Sequence, residues 1–400
     1  MLRRTVFFFV GSSYADFGCG LGAGGAFRSG AAEVVSGASC MRPIVPVRAC
    51  EVAQGEALHR VDRATAPQGA AAAAECARSG RTAVPFARDR ETCDDRTVTA
   101  TFLIAGETLT DIVVDADGAR REHPGGSPMN VAVALSRLGH PTELLTRIGD
   151  DARGDAIRAH LEESGVRLTP GSSVAAATST ALAQLDATGA ATYQFDLLWD
   201  PNPAGLPEQV DAVHTSSIAA VLEPGAATVL DLLRSRRDSA TISYDPNARP
   251  TLMGDAAAAR ERIEASIALS DVVKASDEDV AWLYDTDDVE DVVDGWRTLG
   301  PALTVLTRGG EGAVGFAGSG RVQVSPVMVE AVDTVGAGDT FSAGILDALA
   351  GKDLLGAAKR PALTALPSDE VAAVLQHAAR LAAITVSRAG ANPPWSHELA

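Results

Sequence analysis

The chain has 400 residues, with 34 Lys plus Arg against 52 Asp plus Glu and a formal charge of −18. That balance argues against nucleic acid or an anionic membrane as partner, because both are held by cationic surfaces. No apolar run is long enough to span a bilayer.

Residues 1–95 differ from the rest. All five cysteines (Cys19, Cys40, Cys50, Cys76, Cys93) lie there; the count is odd and the spacings fit no metal template. Residues 1–96 hold 12 Arg against 10 Asp plus Glu, so residues 97–400 carry −20. Gly and Ala runs occur at Gly20–Gly25 and Ala70–Ala74, without sustained periodicity. Leu2-Arg3-Arg4 before Val6–Val10 looks like a signal-peptide start, but the apolar run is short and Ser12, Ser13 and Asp16 follow soon. The expectation for 1–95 is a disordered extension, or sequence translated from a start codon placed too early. Gly20 to Gly25 formally matches G-x-G-x-x-G, yet no apolar strand precedes it and no amphipathic helix follows, so no dinucleotide site is expected. The body after residue 95 has no cysteine, which suits a cytoplasmic protein.

From Val98 the pattern becomes regular. Val98–Ala105 reads as a strand, and a polar turn at Asp115–Arg120 predicts a hairpin. Gly125-Gly126-Ser127-Pro128 then opens a helix, with Ser127 as N-cap, Pro128 at the first helical position and Val131, Leu135 and Leu138 at helical spacing. A strand near Glu143–Ile148 precedes a helix opened by Asp150 and Asp151. Residues 174–198 alternate as β structure. Strands at Ala212–Thr215, Thr241–Tyr244 and Val272–Lys274 alternate with helices at Pro224–Arg236, Ala256–Leu269 and Asp277–Tyr284, and Leu303–Thr307 is another buried strand. Such alternation predicts a parallel sheet with helices on both faces and ligands at the carboxyl ends of its strands.

The most informative stretch is Asp333-Thr334-Val335-Gly336-Ala337-Gly338-Asp339-Thr340-Phe341, which follows an alternating apolar run (Val322, Val324, Val327, Val329) and starts an Ala- and Leu-rich helix. Glycines at a helix start expose N–H donors at the positive dipole end, an anion site. Asp339 in the first turn can reach an alcohol beside that anion, which points to phosphoryl transfer from a nucleotide to a hydroxyl. Asn130, one turn into the earlier helix, can donate and accept toward a polyol.

Together, Gly125 to Gly139 and Asp333 to Phe341 resemble the two signatures of the PfkB, or ribokinase-like, family of carbohydrate kinases, over roughly Thr97 to the C-terminus. The resemblance implies a three-layer α/β/α fold with a mostly parallel central sheet. It places the kinase domain at residues 96–400, with a small β-sheet lid from about 108–124 and 174–198. It makes Asp339 the catalytic base and Gly336, Ala337 and Gly338 the anion hole. Asp111, in Gly-Glu-Thr-Leu-Thr-Asp, becomes a sugar ligand with Gly125, Gly126 and Asn130.

Lys274-Ala275-Ser276-Asp277-Glu278-Asp279 resembles the family's N-x-x-E element, with Ser276 and Asp279 in place of Asn and Glu. Lys274 and Ser276 would then face the nucleotide and Asp279 would help to place Mg²⁺ indirectly; a plain helix cap by Ser276 is the alternative. Thr307, Gly309 and Gly312 match the nucleotide loop. Ser387 to Pro394 with Asp333 resembles a loop that can hold a monovalent cation such as K⁺. Tyr244-Asp245-Pro246-Asn247-Ala248-Arg249-Pro250 resembles a segment common to fructokinases and 2-keto-3-deoxygluconate kinases. The implied activity is ATP-dependent phosphorylation of a free monosaccharide, first fructose, then 2-keto-3-deoxygluconate, then ribose. A non-catalytic sugar-binding regulator on the same fold is the reading from a different class. The implied partners are the sugar and ATP, with a homodimer left open.

Overall fold

The computed structural model describes residues 99–174, 176–185 and 191–399. The expectations for residues 1–95, including the Gly20–Gly25 motif, lie outside the described residues, as does the 186–190 part of the expected lid.

The strands in chain order are β1 (Phe102–Ala105), β2 (Leu109–Val114), β3 (Arg120–Gly125), β4 (Thr142–Leu145), β5 (Ile148–Gly149), β6 (Arg167–Leu168), β7 (Ser173–Val174), β8 (Thr180–Leu185), β9 (Ala191–Asp196), β10 (Ala212–Ser216), β11 (Thr241–Asp245), β12 (Val272–Ser276), β13 (Leu303–Thr307), β14 (Ala313–Ala317) and β15 (Gly320–Val324). The main sheet runs β15-β14-β13-β12-β11-β10-β1-β4-β6. It is parallel from β13 to β6, and β14 and β15 extend it as antiparallel strands.

The parallel strands β1, β10, β11, β12 and β13 are buried along their whole length, as near-continuous apolar runs between two helical layers should be. Alternation within β1 separates the layers. Phe102 and Ile104 pack with Met129, Leu135, Phe341 and Leu375, from helices Ser127–Arg137, Ala337–Gly351 and Ser368–Val386. Leu103 and Ala105 face the other way, toward Val229, Leu232 and Leu233 of helix Gly225–Arg236. Further along that second face, Val273 and Ala275 meet Ile263, Ile267 and Val280. The fold is therefore a ribokinase-like α/β/α sandwich.

Several strands end on polar residues: Ser216, Asp245, Ser276 and Thr307. The carboxyl ends of parallel strands form the sheet edge where ligands bind.

A four-stranded sheet, ordered β3-β2-β8-β9, stands apart from the main one. The β2–β3 hairpin pairs Val114 with Arg120 and Leu109 with Gly125. β2 and β8 are parallel, so this sheet is mixed, not a plain meander. Only Gly106-Glu107-Thr108 separates β1 from β2. The alternating run at Val322–Val329 is strand only to Val324, and Val327 and Val329 belong to the irregular approach to the Gly-rich turn. Among the described residues no helix is long and apolar enough to cross a membrane.

Candidate active site

Asp339 sits in the first turn of helix Ala337–Gly351 and is 2 % exposed. Its carboxylate is held by side chains from two other elements. Ser127 Oγ donates to Oδ1 at 2.7 Å and Asn130 Nδ2 donates to Oδ2 at 2.8 Å, both from helix Ser127–Arg137. Asn247 Nδ2, just after β11, lies 3.5 Å from Oδ1. A carboxylate clamped in this way keeps one orientation, which a proton acceptor needs.

The sequence predicts Ser127 as the N-cap of its helix. The cap is instead Gly126, with no side-chain cap bond, and helix formation already includes Ser127. The Ser127 hydroxyl is engaged elsewhere, with Asp339 and with Ser216 Oγ at 2.8 Å.

Two glycine pairs shape the surroundings. Gly126 has φ 120°, and a Cβ there would fall 2.4 Å from the Glu107 carbonyl oxygen; on Gly125 it would fall 2.0 Å from Asp111 Oδ2. Gly125 thus leaves the space in which the Asp111 carboxylate lies, and Gly126 lets the chain pass close to the Glu107 backbone. Gly336 caps the Asp339 helix at φ 76°, a left-handed conformation costly to other residues. A Cβ on Gly338 would lie 3.0 Å from Lys274 Nζ, so the ammonium sits beside the helix start. Ala337 N–H donates back to the Thr334 carbonyl, closing the turn. The next N–H groups precede any carbonyl partner in their own helix and, with the helix dipole and Lys274, form an anion site.

Beside this lies a cavity of about 180 Å³. Its wall includes Glu107, Asp111, Asn130, Phe195, Arg249 and Asp339, with Gly126 and Gly336. Main-sheet loops supply one side and the small sheet the other, through Asp111 of β2 and Phe195 of β9. Gly125 is not on the wall; it backs Asp111.

Lys274 Nζ pairs with Asp245 Oδ2 at 3.0 Å, with side chains 4 % and 1 % exposed. Ser342 Oγ donates to the same oxygen. Burial works against the Lys274 charge, but Asp245, Asp279 and Asp339 outweigh it and hold its pKa above the ordinary value. Burial pushes Asp245 up to about 6 against the pull of Lys274.

Ser276 and Asp279 form a capping box. Ser276 Oγ accepts from Asp279 N–H, and Asp279 Oδ2 accepts from Ser276 N–H. Asp279 Oδ1 takes the Ala248 N–H at 2.7 Å, which ties the loop after β11 to this helix. Thr307 ends β13 beside Ser276 in register, and Gly309 and Gly312 follow it at φ 45° and 93°. These residues extend from the anion site along the sheet edge, away from the cavity wall. Asp333 accepts from Val335 N–H and from Gly390 N–H, joining the Gly-rich turn to the C-terminal loop. Among the described residues no group of three or more His, Cys, Asp or Glu is arranged to hold a metal.

Glu107, Ser216 and Asp245 do not emerge as site residues from the sequence reading. Glu107 and Asp245 lie in segments that carry the family resemblance, Gly-Glu-Thr-Leu-Thr-Asp and Tyr244 to Pro250, without a role assigned to either, and Ser216 closes β10 with no such signal.

The chain is similar to proteins of one family. Residues 101–398 match the model of the pfkB family carbohydrate kinases. A fructokinase from Rhizobium leguminosarum bv. trifolii is 36 % identical over 268 residues, covering 64 % of this chain and 81 % of that protein. One from Klebsiella pneumoniae is 34 % identical over 260 residues, 62 % of this chain and 83 % of its own. The crystal structure of a Xylella fastidiosa fructokinase with bound ATP superposes with a TM-score of 0.63 at 25 % identity, over 73 % of this chain and 93 % of that one. With both signatures at one cavity and the family match spanning the whole described fold, the chain belongs to the pfkB family of carbohydrate kinases.

Proposed function

We propose that this protein is an ATP-dependent fructokinase. One observation carries the reading: Asp339, in the first turn of an anion-binding helix start, faces the same small cavity as Asp111 and Asn130. The fructokinases at 36 % and 34 % identity support fructose as the sugar.

In this reading Asp111 and Asn130 hold the sugar hydroxyls, with Gly125 and Gly126 making room. Asp339 takes the proton of the reacting hydroxyl as the sugar oxygen bonds to the γ-phosphorus and the bond to ADP breaks. The N–H groups of Gly336 and Gly338, with Lys274 beside them, stabilise charge on the transferring group, while the Ala337 N–H closes the turn onto the Thr334 carbonyl. Ser276, Thr307, Gly309 and Gly312 border the nucleotide. Mg²⁺ keeps much of its water and needs only one or two carboxylates. With the Asp279 oxygens taken by backbone N–H groups, Asp279 would act on Mg²⁺ through water, and the ion would neutralise phosphate charge. Asp333 and the loop at Gly390 are the candidate K⁺ ligands.

Arg249 on the cavity wall favours one second reading, an acid sugar such as 2-keto-3-deoxygluconate, whose carboxylate a guanidinium would complement. Purified protein with ATP, Mg²⁺ and either fructose, 2-keto-3-deoxygluconate or ribose, followed by ADP release, separates these. Fructose should give the highest kcat/KM. Preference for the acid sugar would replace fructose, and no turnover with any sugar would reject the kinase.

A further inference from the structure

Glu107 lies in the three-residue link between β1 and β2 and forms part of the cavity wall. It is 6 % exposed, and its Oε2 is buried without a hydrogen-bond partner. A buried polar atom left unpaired destabilises a fold, so this oxygen calls for a partner from outside the chain. Glu107 lines the cavity, and a small turn of its side chain would bring this oxygen to a partner bound there.

The charged and titratable groups facing it are Arg249 after β11, Asp339 from helix Ala337–Gly351 and Tyr244 of β11, and Ser217 hydrogen-bonds its carboxyl. Burial raises its pKa to about 8; a backbone hydrogen bond and Arg249 oppose that, and Asp339 adds to it. At neutral pH the group is therefore a carboxylic acid with an O–H to give. The carboxylates of Asp111 and Asp339 accept hydrogen bonds, whereas a sugar also presents oxygens that need a donor.

We propose that Glu107 is a sugar-positioning residue, donating a hydrogen bond from the buried end of its carboxyl to an oxygen of the bound monosaccharide. The inference rests on the sugar-kinase reading of this cavity.

The test is steady-state kinetics on the full chain with fructose and ATP varied separately, for wild type, Glu107→Ala and Glu107→Gln, between roughly pH 6 and pH 9.5. Glu107→Ala should raise the KM for fructose about tenfold or more and change that for ATP by less than about twofold. Glu107→Gln, with the same shape and a retained donor, should bring the fructose KM back to within about threefold of wild type. In wild type that KM should climb as pH passes about 8 and the donor is lost. In Glu107→Gln this climb should be absent. A Gln variant as poor as Ala, coincident pH profiles for wild type and Gln, or equal loss toward both substrates would overturn the proposal. Wild-type protein that releases no ADP with any sugar is a different result: it removes the kinase reading, and this inference with it.

Discussion

Asn130 donates its side-chain amide to Oδ2 of Asp339 at 2.8 Å, although 209 residues separate them in the chain. The bond joins the two sequence signatures at one atom. Asn130→Ala should leave Asp339 free to turn. Hydrogen bonds to charged groups are worth roughly 1.5–3 kcal/mol, so kcat should fall about 10- to 100-fold. The KM for ATP should change little. Steady-state kinetics with both substrates varied checks this; an unaltered kcat would mean that Ser127 and Asn247 orient the carboxylate without help.

Asp339→Asn tests the base itself. The amide cannot take a proton from the sugar hydroxyl, and kcat should drop by about 10²- to 10⁴-fold. The thermal melt should stay close to wild type, because the replacement has the same shape. A kcat within a few-fold of wild type, in protein with a normal melt, would remove Asp339 from the chemistry.

Asp111→Ala removes a charged acceptor from the small-sheet side of the cavity. The cost should be roughly 1.5–3 kcal/mol for each hydrogen bond lost, read as weaker fructose binding. Calorimetric titrations with fructose and with ATP separate the effects. Equal fructose affinity in the two proteins would exclude a contact.

Lys274→Met would leave Asp245 buried beside other carboxylates without its ammonium partner. Breaking a buried pair in this way typically costs ~3–5 kcal/mol. Urea unfolding should show a loss of this order, and adding Asp245→Asn should recover part of it. A single variant as stable as wild type would show that the Asp245 carboxyl accepts a proton without strain.

Away from the active site, Asp347 receives hydrogen bonds from His140 and His377. Burial opposes its ionisation, but those bonds and the histidine charges outweigh it and lower its pKa from 3.8 to about 2. A carboxyl depressed in the folded state adds stability above its unfolded pKa and loses it as pH falls toward the folded one. Asp347→Asn should therefore destabilise the protein at neutral pH by at most about 2.5 kcal/mol. The gap should close between about pH 4 and pH 2. Denaturant melts of both proteins across that range give the answer; a gap independent of pH would mean that only neutral hydrogen bonds were lost.

What could be read beforehand was mostly local. The apolar strands, the helices between them and the position of Asp339 in a first helical turn all follow from spacing and turn chemistry. The Asp277–Tyr284 helix and the Leu303–Thr307 strand have the bounds expected of them. Ser127 illustrates what spacing leaves out. As a serine before a proline it has the local features of a cap, but its hydroxyl is claimed by Asp339 and Ser216, which lie far along the chain. Asp279 is similar. Its two oxygens are occupied by backbone groups, one three residues away and the other at Ala248, on a different loop. Glu107 was the least legible, because its burial depends on how β1, β2 and the Asp339 helix come together.

The same separation of Asp339 from Ser127 and Asn130 orders events during synthesis. A ribosome makes Glu107, Asp111 and Asn130 early and Asp339 more than two hundred residues later. The helix that carries Asp339 also packs along Ser368–Val386, and the turn before it hangs from the Val386 carbonyl. A chain stalled or cut before that point lacks the helical layer that covers β1 and helix Ser127–Arg137, and with it Gly336 and Asp339 of the cavity wall. On the proposed role of Asp339, capacity to spend nucleotide arises only once this last part of the chain has been made and packed.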